Sequence, residues 1–211
     1  MQALTFTADL AEPGAIERLV AAIAAEGRTV DALVNNAGYG LPGTYIRTDW
    51  REQQAFLQVL VTAVCELTHR LAPGMAERGF GRVINVASVA GLVPAMPSHT
   101  LYGPAKSFVV KFSQSLHLEM LGKGVHVTAL CPGLTYSEFH DVNGMRAQMG
   151  RIPQLMWQDA ETVARAGFAA VEANRPMCIT GWPNRVIVAL ARLLPEDVVM
   201  RIARRAARRL R

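Results

Sequence analysis

Val83-Ile84-Asn85-Val86-Ala87-Ser88 and Val125-His126-Val127-Thr128-Ala129-Leu130-Cys131 are the stretches on which the fold turns. Each is a short, nearly unbroken run of apolar and β-branched residues, the pattern of a strand covered on both faces. Helical periodicity lies between and around them, and strands that alternate with helices specify a parallel sheet. Working outward, the expected strands are Ala3–Ala8, Val30–Val34, Arg82–Ala87, Val125–Cys131 and, more weakly, Met177–Thr180. One helix should open at Pro13 and close before Gly27. A second follows the capping pair Thr48-Asp49 and runs to about Leu71, ahead of Pro73-Gly74. A third spans about Leu101 to Leu121 and a fourth Ala160 to Ala173. From Gly133 to about Trp157 the periodicity fails, in the position where α/β sheets bind ligands. After Trp182-Pro183 a helix should reach Leu194, with a short Arg-rich helix beyond Pro195.

Composition supports a folded, soluble-type core. The 211 residues are 51% hydrophobic and 18% charged, which excludes a disordered chain. No uncharged apolar run approaches the roughly 18 residues of a membrane span, and the first residues lack the basic flank of a secretory signal. Cys65, Cys131 and Cys178 cannot all pair and show no metal-ligand spacing, so reduced thiols and a cytoplasmic setting are expected. The net charge of +5 is uneven: the segment from Pro195 to Arg211 holds six arginines against Glu196 and Asp197. There Val198, Ile202, Ala206 and Leu210 recur every four residues while the arginines face elsewhere. Such a helix suits an anionic membrane surface or plain solvent; without interleaved aromatics, nucleic acid is not an expected partner.

The chemistry gathers at Tyr102-Gly103-Pro104-Ala105-Lys106, with Ser88 upstream. Residues four apart share a helix face, so the Lys106 ammonium can lie near the Tyr102 phenol. A tyrosine with a pKa of about 10 exchanges protons poorly near neutrality, and a neighbouring cation should lower that value. Tyr102 could then give a proton to a carbonyl oxygen or take one from an alcohol. Ser88, just past a strand's carboxyl end, could hydrogen-bond the same oxygen.

With these residues the sequence resembles the short-chain dehydrogenase/reductase family along nearly the whole chain. Asn35-Asn36-Ala37-Gly38 is similar to that family's fourth-strand motif, the run ending in Ser88 to its catalytic-serine strand, and Tyr102 with Lys106 to its active pair. Cys131-Pro132-Gly133 resembles the Pro-Gly turn after its sixth strand, and Asp9-Leu10 the acidic turn that contacts adenine. The resemblance implies a doubly wound, Rossmann-like sheet, NAD or NADP as cofactor, and hydride transfer to or from a small or lipophilic carbonyl/alcohol substrate. By position Ser137 would hold the carboxamide, Asn35 to Gly38 the adenosine side, and Lys106 the nicotinamide ribose. It also implies homo-oligomers. The basic tail is similar to a branch with such an extension, dividing the chain into a catalytic domain at 1–182 and a helical extension at 183–211.

Three departures qualify the likeness. The family's opening β-α-β-α segment with its Gly-rich turn has no counterpart, as though the fold were N-terminally truncated; Ala3–Ala8 matches the third strand. Gly38-Tyr39-Gly40-Leu41-Pro42-Gly43 has the right glycines but opens into no helix, so it is a decoy for a phosphate loop. Without its central neighbours, Val30–Val34 would be exposed at an edge unless Ala3–Ala8 closed against it. Leu60 stands where relatives carry an asparagine that organises a water near the lysine. Lastly, the spacing from Ser88 to Tyr102 is one residue longer than usual. The missing loop and Leu60 leave a rival reading, a non-catalytic relative or fragment acting by association. The histidines, His99 included, show no metal spacing. Met145, Met149 and Met156 are divided between packing and a pliable lid.

Overall fold

A computed structural model describes residues 3–94, 100–136, 153–195, 197, 198, 200, 201 and 204. In it β1 (Ala32–Asn35), β2 (Gly81–Val86), β3 (Val125–Cys131) and β6 (Met177–Ile179) form a 4-stranded, wholly parallel sheet in the order β1-β2-β3-β6. Between β3 and β6, the strands β4 (Leu134–Tyr136) and β5 (Trp157–Asp159) pair separately, also in parallel. The helices are α1 (Ala15–Ala25), α2 (Trp50–Leu57), α3 (Ala63–Glu77), α4 (Tyr102–Glu119), α5 (Ala160–Glu172) and α6 (Trp182–Leu193).

Both faces of the sheet are covered, which explains the unbroken apolar runs. Val83, Val125 and Val127 face Met75 of α3, with Leu116 and Met120 of α4 beside them. Ala129 and Cys131 continue that face against Val109 and Val110 of α4. Ile84 and Leu130 turn the other way, onto Val163 and Val171 of α5. Alternate residues thus serve opposite layers, as the pleat requires.

Two sequence expectations fail. Ala3–Ala8 is not a strand, and it does not close against the sheet: the segment is irregular, Leu4 is 45% exposed, and β1 pairs only with β2. A strand gains its stability from a ladder, and here none is offered. The chain instead turns at Asp9 so that Leu10 and Ala11 pack against Phe56, Val59, Leu60 and Ala105. Val34, on the sheet edge, stays 56% exposed.

Nor does Pro73 end its helix. α3 continues to Glu77, because Ala72 and Met75 are buried to 3% and 0% exposure in that same turn and Pro73 lies on the solvent side. Burial of that face offsets the lost hydrogen bond. Between α2 and α3 lies an unexpected π turn, Gln58–Thr62, in which the Ala63 N–H bonds the Gln58 carbonyl. Trp50–Glu77 is long and apolar enough to cross a membrane by length and composition, yet Phe56, Leu60, Ala63 and Met75 sit in the core.

α6 begins the proposed 183–211 extension but packs on the body, burying Asn184 and Val188. Of the residues beyond Pro195, those described are helical, and the amphipathic pattern depends on positions outside them. Met145, Met149 and His99 also lie outside the described residues.

Candidate active site

Ser88 follows β2 and is the N-cap of a 3-10 turn, Val89–Gly91, its Oγ accepting from the Ala90 N–H at 3.1 Å. The turn is held from two sides. The Val89 N–H donates to the Pro132 carbonyl at 3.0 Å, joining it to the end of β3. Gly91 lies so close to α4 that a Cβ there would sit 2.6 Å from the Lys106 carbonyl carbon and the Ser107 nitrogen. Only glycine permits that approach, and it seats Ser88 over the first turns of α4, where Tyr102 and Lys106 stand.

Tyr102 and Lys106 do share a face. The Lys106 Nζ is 5.8 Å from the Tyr102 ring centroid. It donates to the Val86 carbonyl at 2.7 Å and is 7% exposed. Burial pulls its pKa from 10.5 down to about 8, with negative charge at Cys131 acting the other way. The Tyr102 hydroxyl hydrogen-bonds Ser88, which lowers its pKa, but burial is the larger effect and the net shift is upward. The expectation that Lys106 lowers the phenol's pKa is therefore corrected: desolvation wins. Tyr102 is held protonated at neutral pH.

The Asn35–Gly38 motif divides into two roles. Asn35 is buried, its Nδ2 donating to Thr68 Oγ1 at 3.1 Å and Asn85 Oδ1 at 2.8 Å; Asn85 in turn donates to Ser113 Oγ at 2.9 Å. Its side chain is thus committed to a network that crosses from α3 through β1 and β2 to α4. Asn36 and Ala37 are exposed beyond the carboxyl end of β1. Gly38 brings the loop against Leu60 and Lys106: a Cβ there would lie 3.7 Å from Leu60 and 3.9 Å from Nζ. Leu60 itself is 1% exposed and occupies the π turn. No helix opens after Gly43; the next turn is 3-10, Tyr45–Arg47.

Asp9 and Leu10 sit nearby. Asp9 Oδ1 accepts from the Ala11 N–H at 2.9 Å, and its charge, after burial, helps raise the pKa of Tyr39. Gly133 packs against the amide of Asn184, a residue the sequence reading passed over. Asn184 donates to the Thr180 carbonyl at 2.8 Å, so it ties α6 to the end of β6 while its amide packs on the turn after β3. Ser137 lies outside the described residues. Missed as well were Asn85, quoted only within its strand, and Gln53, which lines a shallow depression with Tyr102, Leu101, Phe56 and Leu41. A polar residue in an otherwise apolar strand was the available signal for Asn85.

Ser88, Tyr102 and Lys106 converge beyond the carboxyl ends of β1, β2 and β3, where parallel sheets receive ligands. The buried Lys106 ammonium has three donors and one protein acceptor among the described residues, Val86 O. That fits a hydroxyl-bearing group such as a nicotinamide ribose. For a pyrophosphate the described residues around Gly38–Gly43 provide no helix N-terminus. Among the described residues no cluster suits a metal ion.

Comparison with known proteins points the same way. A family model described as short chain dehydrogenase matches residues 1–146. Sulfoacetaldehyde reductase of Chromohalobacter salexigens is 37% identical over 133 residues, covering 62% of this chain and 52% of that protein. Nodulation protein G of Rhizobium sp. (strain N33) is 32% identical over 189 residues, 88% of this chain and 76% of that one. A 7beta-hydroxysteroid dehydrogenase of known structure superposes with a TM-score of 0.81 at 25% identity, over 93% of this chain and 74% of that one. Against the first of these the chain spans about half the relative's length.

Proposed function

This chain belongs to the short-chain dehydrogenase family, and from that membership we propose that it carries the proton-handling half of an oxidoreductase acting on a carbonyl/alcohol pair. The observation that supports this most is the seating of Ser88 over Tyr102 and Lys106 by the close approach at Gly91. A bound nicotinamide, NAD or NADP, supplies or accepts the hydride.

Tyr102 gives its proton to the substrate oxygen in reduction and takes one in oxidation. Its raised pKa keeps the phenol protonated, ready to donate to a carbonyl oxygen. Ser88 donates a hydrogen bond to the same oxygen and fixes it beside the phenol. Lys106, fixed on Val86 O, is charged below about pH 8 and uses its other donors on the ribose. Asn35 acts through Asn85 to hold the ends of β1 and β2 in register, while Asn36, Ala37 and Gly38 border the adenosine side with Asp9 and Leu10. Pro132 and Gly133 shape the floor, and the family pattern assigns the carboxamide to Ser137 by its place in the sequence. The substrate is a small or lipophilic carbonyl compound, and the working form is a homo-oligomer.

Steady-state loss of reduced nicotinamide absorbance with a carbonyl panel, run with both cofactors, tests the reading. Tyr102→Phe should abolish turnover while circular dichroism stays unchanged; a variant as active as the parent would refute it.

A further inference from the structure

Gln53 lies in the second turn of α2, 4% exposed, with its backbone N–H on the Asp49 carbonyl. Its Nε2 donates to two carbonyl oxygens, Tyr45 O and Thr48 O, each at 3.0 Å. That fixes the amide's orientation, because a flipped amide would set oxygen against both carbonyls. The other half of the amide is left over: Oε1 is buried and has no hydrogen-bond partner among the described residues. Tethering the 45–48 turn explains the nitrogen and leaves the oxygen unexplained. Buried amide oxygens without partners are rare, and one of them lining the same depression as Tyr102 asks for a donor from elsewhere. Thr48 cannot provide it in this arrangement, since its hydroxyl donates to Thr44 O at 3.1 Å.

We propose that Gln53 is a specificity residue: its Oε1 accepts a hydrogen bond from a neutral donor, a hydroxyl or an amide N–H, carried by the substrate away from the reacting carbon. This rests on the reading that Tyr102 serves the reacting oxygen. Leu41, Phe56 and Leu101 line the same depression and take the substrate's carbon skeleton. Because Oε1 is covered, the exposed 3-10 turn Tyr45–Arg47 has to shift for the donor to reach it. An alkyl ketone of the same length leaves the oxygen buried and unpaired, and so is rejected.

The test is a matched set of short ketones: an alkyl ketone, its distal hydroxy analogue, the methyl ether of that alcohol, and an acylamino analogue. The ether retains an acceptor and lacks the donor. For the parent protein, kcat/KM for the hydroxy or the acylamino compound should exceed that for the ether and alkyl ketones by roughly tenfold or more, and which of the two leads identifies the donor. In Gln53→Met the ratio should fall to near one; loss of the turn's tether alone would shift all four compounds together and leave the ratio standing. An unchanged ratio in Gln53→Met, or a ratio near one in the parent, overturns the proposal. The parent series decides alone if the variant does not fold. If no compound turns over, saturation-transfer NMR with the same set separates the two readings. Donor-selective binding without turnover would refute hydride transfer and keep the Gln53 assignment; unselective or absent binding would refute the assignment.

Discussion

Lys106 should leave a signature in the pH dependence of stability. Its pKa is 10.5 in the unfolded reference and about 8 in the fold, lowered by burial. Below pH 8 both states carry the proton. Between about pH 8 and 10.5 the unfolded chain alone keeps it, so stability rises with pH through that window. Working the two pKa values through gives a gain of about 1 kcal/mol between pH 8 and pH 9. The climb then stops. Burial lifts Cys131 from 9.0 to about 12 and also shifts Cys65 and Cys178 upward. Those thiols ionise first in the unfolded chain, so above pH 9 they lower stability. Urea unfolding at closely spaced pH values reads the whole curve. The parent should climb, flatten and fall; Lys106→Met should not climb at all and should decline gently as the thiols ionise, and Cys131→Val should delay the fall. A parent curve already falling between pH 8 and pH 9, or a Lys106→Met variant that still climbs, would refute the burial of a charged Lys106.

Leu60→Asn returns a hydrogen-bonding group beside Lys106 and should raise turnover several-fold if proton delivery limits the rate, at a stability loss of about 1–3 kcal/mol for the amide placed in an apolar site; steady-state kinetics and urea melts measure both. Gly91→Ala should cost about 1–3 kcal/mol, since backbone must move from the added methyl, and should lower kcat more than it raises KM as Ser88 is displaced. Asn35→Leu leaves Thr68 and Asn85 short of a partner and should destabilise by about 1–3 kcal/mol, seen as a lower urea midpoint at unchanged slope.

The sheet was legible because β2 and β3 are buried on both faces, and their residues show it without help from distant parts. Val125–Cys131 was read to the residue; β1 was read two residues early because Val30 is apolar for another reason, its packing beside Met75 and Leu71 of α3. Ala3–Ala8 was misread because its alternation is genuine but a strand also needs a neighbour, which no local pattern reports. The pairing of Tyr102 with Lys106 followed from helix geometry alone. What escaped was everything set by approach between elements: the contact of Gly91 with α4, the reach of Asn184 to Gly133, the unpaired Gln53 oxygen, and the desolvation that raises the Tyr102 pKa.

The wide turn at Gln58–Thr62 has a mechanical meaning. A helix advances about 100° per residue, while a turn closed by an i to i+5 bond spends one more residue on nearly the same rotation. As built, Phe56 and Leu60 look toward the Gly38 loop while Thr68 reaches Asn35 and Met75 reaches Val83. The turn acts as a phase setter between the ligand side and the sheet side of one continuous rod. Removing the extra residue would let the rod relax into plain α-helix with Thr68 and Met75 still on the sheet, whereas removing one from the α-helical turns that follow would swing both away.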